Sequence, residues 1–183
     1  KDGHAFYLDV HVGRLRTHNF ERIAMKAGGQ HIVPIDDPKR TKKLWVVGDI
    51  HIGSKACAIN RFRETVDSIE EDADALWIGL GDYADYISHK DIRFDLSELS
   101  EDLSVADLAK IGKVQQTMFI EEVQRISDKC IGLIKGNHEV SYEQHTTSAN
   151  LHQETCDLLG VRNLDYSAYI DLVFQHKKEG HTF

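Results

Sequence analysis

The chain has 183 residues, of which 41% are apolar and 28% are charged, and its formal net charge is −8 at pH 7. These values are typical of a single globular domain of ordinary size with a sizeable hydrophobic core. The negative charge disfavours a basic nucleic-acid surface along the whole chain, and no apolar run approaches the ~20 residues of a membrane span. Cys57, Cys130 and Cys156 lack metal-finger spacing, which indicates reduced, buried thiols in a cytoplasmic protein.

Residues 1–43 are predicted to form an amino-terminal extension that packs on the main domain. Apolar and polar residues alternate over Phe6–Val12, which favours a half-exposed strand. Thr17 is suited to cap a helix that ends at Gly28. The stretch His31–Pro38 is predicted to be a loop or a short edge strand, because a proline within it removes one backbone donor.

The main domain, residues 44–183, begins with the apolar run Leu-Trp-Val-Val, which stops at Gly48. A continuous apolar run bounded by glycine predicts a strand that is buried on both faces. Asp49 and His51 follow at the carboxyl end of this strand, where ligands bind in an open α/β sheet. A carboxylate oxygen and a neutral imidazole are good ligands for a divalent metal. Alone the pair is a weak signal, because the same spacing recurs near the amino terminus in an alternating segment.

The next two elements predict a strand-helix-strand unit. Apolar residues recur every three or four positions over Ala56–Glu71, which predicts a helix. The apolar run Ala75–Leu80 then ends at a glycine followed by Asp82. Strands joined in this way are parallel and usually adjacent, so Asp49 and Asp82 should emerge side by side. Two neighbouring carboxylates repel each other unless a cation lies between them, and a shared metal would remove that repulsion.

The rest of the main domain is predicted to continue with helices and strands. The long polar stretch Tyr83–Ser104 is predicted to be a surface loop that shapes a substrate pocket. Helical periodicity returns over Val105–Ser127 and again over Ser148–Leu159. Further strands are predicted at Cys130–Lys135 and at Ala168–Gln175, the last of them half exposed because its residues alternate.

Three successive strand ends therefore carry polar residues: Asp-x-His at Asp49, Gly-Asp at Asp82, and Gly-Asn-His-Glu at Gly136–Glu139. This ordered set resembles the motifs of the calcineurin-like metallophosphoesterases, and the resemblance covers roughly Leu44–Gln175. It implies an α/β fold of two packed β-sheets flanked by helices, the αββα sandwich of that family.

The resemblance also implies a site for two divalent metal ions, which would be Mn, Fe or Zn. Asp49 and His51 resemble the ligands of the first ion. Asp82 resembles the carboxylate that bridges both ions, and Asn137 resembles an amide-oxygen ligand of the second. Two such ions about 3.5–4 Å apart hold an attacking hydroxide and neutralise the phosphate oxygens. The alternative for Asp82 is a plain turn residue, since aspartate is common in turns.

Two further positions match catalytic roles of the family. His138 resembles a histidine that faces the phosphate without binding metal, and Asp85 matches the acid that orients this histidine. An imidazolium held by a carboxylate stabilises developing charge or protonates the leaving oxygen. The structural alternatives are a helix cap for Asp85 and a purely structural histidine at position 138. The remaining histidines of the main domain's middle part, His89, His145 and His152, are predicted to be surface residues.

Two departures from the family pattern count against the phosphoprotein phosphatase branch of the family. Phosphoprotein phosphatases of the family carry an arginine that grips phosphate after the second acid of the Gly-Asp motif, and Tyr86 stands there in this chain. Their first motif is Asp-x-His-Gly, whereas Ile52 intervenes before Gly53 here. The Asp-x-His-apolar-Gly motif is more similar to the phosphodiesterase and DNA-repair nuclease branches, and both features count against a protein phosphatase without fixing the substrate.

The predicted function is metal-dependent hydrolysis of phosphate esters, in particular phosphodiesters, by attack of a metal-bridging hydroxide. One alternative is a DNA nuclease of the same fold, with nucleic acid as the partner. A local basic patch is available for it, formed by Lys39, Arg40, Lys42 and Lys43. Another alternative is a non-catalytic binding module that keeps the fold, although such a module should show eroded ligands and these motifs are intact. No membrane partner is predicted.

The family's pattern requires further histidine ligands after Gly-Asn-His-Glu. The ending Gly180-His181-Thr182-Phe183 begins like the family's final Gly-His-x-His motif, but Phe183 replaces the second histidine. We therefore expect a carboxyl-terminally incomplete domain, whose last strand lies at an unfinished edge and whose site is open on one side. His176 follows that strand and is the best substitute ligand, although it is also suited to the hairpin turn predicted after it.

Overall fold

The computed structural model describes residues 6–7, 26–37, 39–89, 91–146 and 150–176. Two three-stranded sheets form its centre, and helices flank them. The strands are β1 (Phe6–Tyr7), β2 (Lys26–Ile35), β3 (Lys43–Val47), β4 (Ala75–Gly79), β5 (Cys130–Leu133) and β6 (Ala168–His176). The α-helices are α1 (Ile59–Glu71), α2 (Ile111–Val123), α3 (Asn137–His145) and α4 (Leu151–Leu159). Short 3₁₀ helices cover Leu96–Glu98, Val105–Lys110 and Gln124–Lys129. The prediction of an α/β fold with two sheets is confirmed.

The first sheet has the strand order β3-β4-β5, and all of its strands are parallel. The predicted strand-helix-strand unit is present, since α1 connects β3 to the adjacent strand β4. The helix buries Phe62, Val66 and Ile69, which lie one turn apart on one face. Burial of this face against the sheet, rather than a capping side chain, explains why the segment is helical, because its first turn has no side-chain cap.

The prediction that β3 is buried on both faces is wrong. Val46 is 53% exposed, because β3 lies at the edge of the described sheet. The strand that is buried on both faces is β4, where the neighbouring residues Trp77 and Ile78 point to opposite sides and are both buried. The indole N–H of Trp77 donates a hydrogen bond to the carbonyl oxygen of Ile126 at 2.8 Å.

The second sheet has the strand order β1-β6-β2, with β2 parallel and β1 antiparallel to β6. The ten-residue β2 corrects the helix end predicted at Gly28, because that glycine lies within the strand. Of the two alternatives for His31–Pro38, a loop or a short edge strand, the described structure has an edge strand, which continues to Ile35. Gly28 lies against β6, where an added Cβ would come within 2.6 Å of Ile170 Cγ1. Pro34 is accommodated because β2 is at the edge of the described sheet.

The expectation that the last strand lies at an unfinished edge is also wrong. In the described structure, β6 is the central strand of its sheet and pairs with β1 on one side and β2 on the other. Strand β2 belongs to the predicted extension, residues 1–43, and its pairing with β6 ties that segment to the main domain. The division at residue 43 stays a prediction. The helix predicted from Thr17 and the turn at residues 177–180 lie outside the described residues.

Two apolar clusters hold the layers together. One fills the space between the sheets and includes Ile78, Ile131 and Ile170. The other lies between the first sheet and the helices and includes Trp77, Phe62 and Phe119 from β4, α1 and α2. The first sheet is therefore covered on both sides, and its strand ends are rigidly placed. Among the described residues no helix has the length and apolar character needed to cross a membrane.

The largest differences between the predicted and the observed helices lie after β5. The helix α3 was not predicted, and it begins directly at Asn137. On α4 the prediction that His152 is a surface residue is wrong, since it is 1% exposed, whereas Leu158 of the same helix is 64% exposed. Exposed positions for His89 and His145 are confirmed. All three cysteines are free thiols; Cys130 and Cys156 are buried as predicted, whereas Cys57 is only half buried.

Candidate metal centre

The loops after β3 and β4 run side by side at one edge of the first sheet. The backbone N–H of Asp49 donates to the carbonyl oxygen of Gly81 at 3.0 Å, and that of His51 donates to the carbonyl oxygen of Asp82 at 3.1 Å. The N–H of Asp85 donates to the carbonyl oxygen of Ile52 at 3.0 Å. The adjacency predicted for Asp49 and Asp82 is thus a consequence of the parallel β3–β4 pairing.

Three candidate ligands on these loops have left-handed backbone conformations. The φ angles are 57° at Asp49, 55° at His51 and 52° at Asp82. Positive φ is uncommon for residues other than glycine, although aspartate and histidine tolerate it better than most. Such conformations cost on the order of 1 kcal/mol or more each and persist where the surrounding structure holds them, which is frequent at functional sites. Here they bring the three side chains toward one point.

Ligand atoms of Asp49, His51 and Asp82 lie within 4.8 Å of one another. The Nε2 of His51 is 2.9 Å from Oδ1 of Asp49, whose side chain is 87% exposed. Two carboxylates and one imidazole are suitable ligands for a divalent cation such as Mn, Fe or Zn. The residues present therefore fit a metal, on a side of the molecule that solvent reaches.

A second group consists of His51, Asp85 and His138, whose ligand atoms also lie within 4.8 Å of one another. Oδ1 of Asp85 is 3.6 Å from Nδ1 of His51 and 3.9 Å from Nδ1 of His138. The ring of His138 makes its hydrogen bond to the backbone carbonyl oxygen of Asp85 instead. The two imidazole rings meet edge to face, with centroids 4.4 Å apart. The carboxylate of Asp85 thus faces both histidines.

The start of α3 brings the third motif to the same place. The backbone N–H of His138 donates to Oδ1 of Asp82 at 2.9 Å, so the amino end of the helix contacts the candidate bridging carboxylate. Asn137 is the first residue of α3 and is exposed. The structure brings together every predicted site residue except Asn137 in these two groups, and it places Asn137 next to His138.

The carboxylates determine the charge of His51. Asp85, followed by Asp49 and Asp82, raises the pKa of His51 to about 9, although burial acts in the opposite direction. In the metal-free protein an imidazolium therefore offsets part of the negative charge at this point. A divalent cation would take over that role, and its binding would release the proton.

Sequence reasoning missed Glu139, which is buried behind these loops. It accepts hydrogen bonds from the backbone N–H groups of Asp82, Tyr83 and Gly136. Burial raises the pKa of this carboxyl to about 7. A signal was available, because Glu139 lies three residues after Gly136, the spacing of a helix-capping pattern.

The long loop after Asp82 contacts the loop after β3 and helix α3, and its role in shaping a substrate pocket stays a prediction. Its Ser100 donates to the carbonyl oxygen of Gly53 at 3.0 Å. Earlier in the same loop, Nη2 of Arg93 is 2.7 Å from Oδ2 of Asp91 and 3.5 Å from Oγ of Ser141 on α3. The loop therefore borders the site and brings one cation near it.

The predicted basic patch is largely neutralised. Arg40 and Lys42 both form ion pairs with Asp74, the latter at 2.8 Å. Lys43 forms an ion pair with Asp72 at 2.6 Å. These contacts tie the start of β3 to the turn before β4, and they pair three of the four cations of the patch with two carboxylates.

Residues 42–180 match the family of calcineurin-like phosphoesterases. The match spans well over half of the chain, and the chain belongs to this family. Membership implies metal-dependent hydrolysis of phosphate esters, and the predicted family and fold class are confirmed. Searches of curated proteins and of solved structures found no match.

Proposed function

We propose that the protein is a binuclear metal-dependent phosphoesterase that prefers phosphodiesters. The observation that carries this proposal is the convergence of Asp49, His51 and Asp82 within 4.8 Å at the carboxyl ends of two parallel strands. We assign Asp49 and His51 to a first ion, Asp82 to both ions and Asn137 to a second. When bound, the ions supply a hydroxide nucleophile at neutral pH and neutralise charge on the phosphate.

We propose that His138 delivers the proton to the leaving oxygen. Because a carbonyl oxygen only accepts hydrogen bonds, the contact with Asp85 requires the proton on Nδ1 of His138. The other ring nitrogen, Nε2, is then left for the substrate, and it donates a proton to the leaving oxygen only when the ring is an imidazolium, with protons on both nitrogens. Proton transfer from a positioned group of this kind contributes typically 10²–10⁴-fold to a rate.

The surroundings of the site favour diesters over monoesters. A phosphomonoester carries up to two negative charges and needs more positive charge than a diester, which carries one. The position at which phosphoprotein phosphatases have arginine is occupied by Tyr86, which is buried and whose N–H donates to Oε1 of Gln115 at 2.7 Å. The cation on the same loop, Arg93, already pairs with Asp91.

DNA is the less favoured substrate because the basic patch is neutralised. Arg40, Lys42 and Lys43 are all engaged by Asp72 or Asp74. Phosphate contacts by free lysine and arginine supply most of the affinity for nucleic acid. The free thiols of Cys57, Cys130 and Cys156 support a cytoplasmic location, since disulfides are rare in that compartment.

The test is a substrate panel with the purified protein. The metals are Mn²⁺, Fe²⁺ and Zn²⁺, each with an excess-chelator control. The substrates are bis-(p-nitrophenyl) phosphate, p-nitrophenyl phosphate and linear DNA. We expect metal-dependent hydrolysis, with the diester preferred over the monoester and over DNA. Preference for DNA would favour the nuclease alternative, and absent hydrolysis of all three substrates would favour a non-catalytic module. Hydrolysis that persists in excess chelator would contradict the metal-dependent mechanism.

A further inference from the structure

A carboxylate that none of the assigned roles uses lies beneath the two metal-binding loops. Glu139 is in the first turn of α3 and is 1% exposed. Its Oε2 accepts hydrogen bonds from the N–H groups of Gly136 and Asp82, both at 3.0 Å. Its Oε1 accepts one from the N–H of Tyr83 at 2.9 Å. A single buried side chain therefore joins the loop after β4 to the start of α3.

The connection runs in both directions. While Glu139 of α3 binds the backbone at Asp82, the side chain of Asp82 accepts a hydrogen bond from the backbone of His138 at 2.9 Å. The two backbones also approach closely, since an added Cβ on Gly81 would lie 2.3 Å from the nitrogen of Gly136. Each motif thus provides the hydrogen-bond acceptor for the other.

This arrangement determines the conformation of Asp82. Its φ of 52° is unfavourable for a residue with a Cβ, and the bond from its own N–H to Glu139 holds the peptide in that orientation. From this orientation the carboxylate reaches both the His51 side and the amino end of α3. Loss of the bond would leave the backbone free to relax to a common conformation.

We propose that Glu139 is a positioning residue that sets the geometry of the metal ligands before any ion binds. The inference rests on the proposed function, because it assigns Asp82 to both ions. Groups that orient metal ligands without touching the metal typically contribute 10–100-fold to metal affinity or activity. Glu139 orients the ligands through the backbone of Asp82 and through helix α3, which carries His138 and Asn137.

The acceptor geometry requires a carboxylate. Two oxygens with free lone pairs satisfy three N–H donors. A glutamine has the same shape but only one oxygen, and its NH₂ group would face an N–H. The substitution Glu139→Gln therefore removes at least one of the three hydrogen bonds without changing the packed volume.

The test measures Mn²⁺ affinity by calorimetry together with the melting temperature in chelator. For Glu139→Gln we expect the affinity for Mn²⁺ to fall by about 10–100-fold. Turnover at saturating Mn²⁺ should recover to a large part of the wild-type value, with little change in the KM for the diester. Recovery by excess metal separates a positioning role from a loss of catalytic groups.

Glu143→Gln is the matched control on the same helix. Glu143 is largely buried, pairs with Lys135 at 2.8 Å and accepts the N–H of His152 at 2.9 Å. None of these contacts involves the loops after β3 or β4. The control should lower the melting temperature and leave the Mn²⁺ affinity unchanged.

The inference would be overturned if Glu139→Gln bound Mn²⁺ as tightly as the wild type. It would also be overturned if Glu139→Gln and the control Glu143→Gln lost Mn²⁺ affinity to the same extent. If Glu139→Gln fails to fold, Glu139→Asp replaces it, because it keeps the charge and shortens the reach. Unchanged metal affinity in Glu139→Asp would then overturn the inference. A wild-type protein that binds no Mn²⁺ would contradict the proposed function itself, a result that the wild-type titration shows independently of any variant.

Discussion

The two sheets share one apolar cluster, yet their strand ends differ in chemistry. In the first sheet, the loops after β3 and β4 carry Asp49 and Asp82, and α3 follows β5 with His138. Within the described residues, neither group of candidate ligands includes a residue of the second sheet. The second sheet contributes inward-facing Ala168 and Ile170 to the shared cluster.

The difference shows how the fold separates stability from chemistry. The first sheet is covered on both faces, so its strand ends are held in place while polar, strained loops extend from them. Within the described part of the chain, the second sheet closes the core and adds no acid, histidine or cysteine to the two groups of candidate ligands. Substitutions in the first sheet's loops should therefore change metal binding and turnover, whereas substitutions in the second sheet should change stability alone.

The largest effect is expected from Asp82→Asn. The amide keeps the shape and an oxygen that accepts the His138 N–H, but it loses the charge assigned to both ions. Metals supply several kcal/mol of charge stabilisation, so kcat/KM should fall on the order of 10³-fold, with loss of bound metal. Metal content by elemental analysis and steady-state kinetics measure this. Asp95→Asn, an exposed acid that caps a 3₁₀ helix, is the control, and full metal content with wild-type rates in Asp82→Asn would refute the bridging assignment.

The next effect tests the second sheet. Ile170 is buried between the sheets, and Ile170→Ala should lower the free energy of unfolding by about 3 kcal/mol through lost burial and a cavity. The kinetic constants and the metal content of the folded fraction should not change. Urea unfolding of the metal-free protein measures the stability. Leu158→Ala, at an exposed position on α4, should cost less than about 0.5 kcal/mol. A change in KM or metal affinity in Ile170→Ala would show that the sheets are coupled.

His138→Ala separates catalysis from metal binding within the loops of the first sheet. Removal of a proton donor should lower kcat on the order of 10²-fold, which corresponds to about 3 kcal/mol, most for diesters with basic leaving groups. Both metal equivalents should stay bound. His145→Ala, at an exposed position seven residues later on α3, is the control. Loss of one metal equivalent in His138→Ala would reassign this residue as a ligand.

The first sheet and the site loops could be predicted because their signals are local. The apolar runs at β3 and β4, the helical spacing of α1 and the glycine-acid pairs after the strands all lie within short windows of sequence. Parallel pairing then placed Asp49 beside Asp82. These are the conditions under which pattern reasoning works best.

The second sheet could not be predicted in the same way. Strand β2 forms because it pairs with β6, far along the chain, and no local pattern in Lys26–Ile35 reveals that partner. Its glycines and proline resemble loop signals. Close packing of Gly28 against Ile170 turns an apparent helix end into part of a strand.

Buried polar residues were the other failure. Glu139 and His152 are typical surface types, yet backbone groups bind both: three N–H donors bind Glu139, and the carbonyl oxygen of Leu133 binds Nε2 of His152. A sequence shows the residue type but not the backbone partner that makes its burial possible. The buried face of α4 therefore includes His152, and Leu158 lies on the exposed face of the helix.

The smallest expected effect concerns this buried histidine, which packs behind the first sheet. The Nε2–H of His152 donates a hydrogen bond to the carbonyl oxygen of Leu133 at 3.2 Å, and Nδ1 has no hydrogen-bond partner among the described residues. Burial, assisted by the charge of Lys135, lowers its pKa to about 4. The folded protein thus keeps the ring neutral at pH values where the unfolded chain, with an ordinary pKa near 6.5, binds a proton.

Stability should therefore decrease as the pH falls through the interval between these pKa values. Between pH 6.5 and pH 5 the contribution of this one residue amounts to about 2 kcal/mol lost from the free energy of unfolding. The measurement is urea unfolding of the metal-free protein at both pH values, in wild type and in His152→Gln, which stays neutral. Other titrating groups, including Glu139 with its raised pKa, shift both proteins alike and cancel in the difference. His145→Gln should follow the wild-type profile. If His152→Gln loses as much stability as wild type on acidification, the ring is not held neutral behind β5, and the first sheet is less tightly closed on its helix side than its buried residues imply.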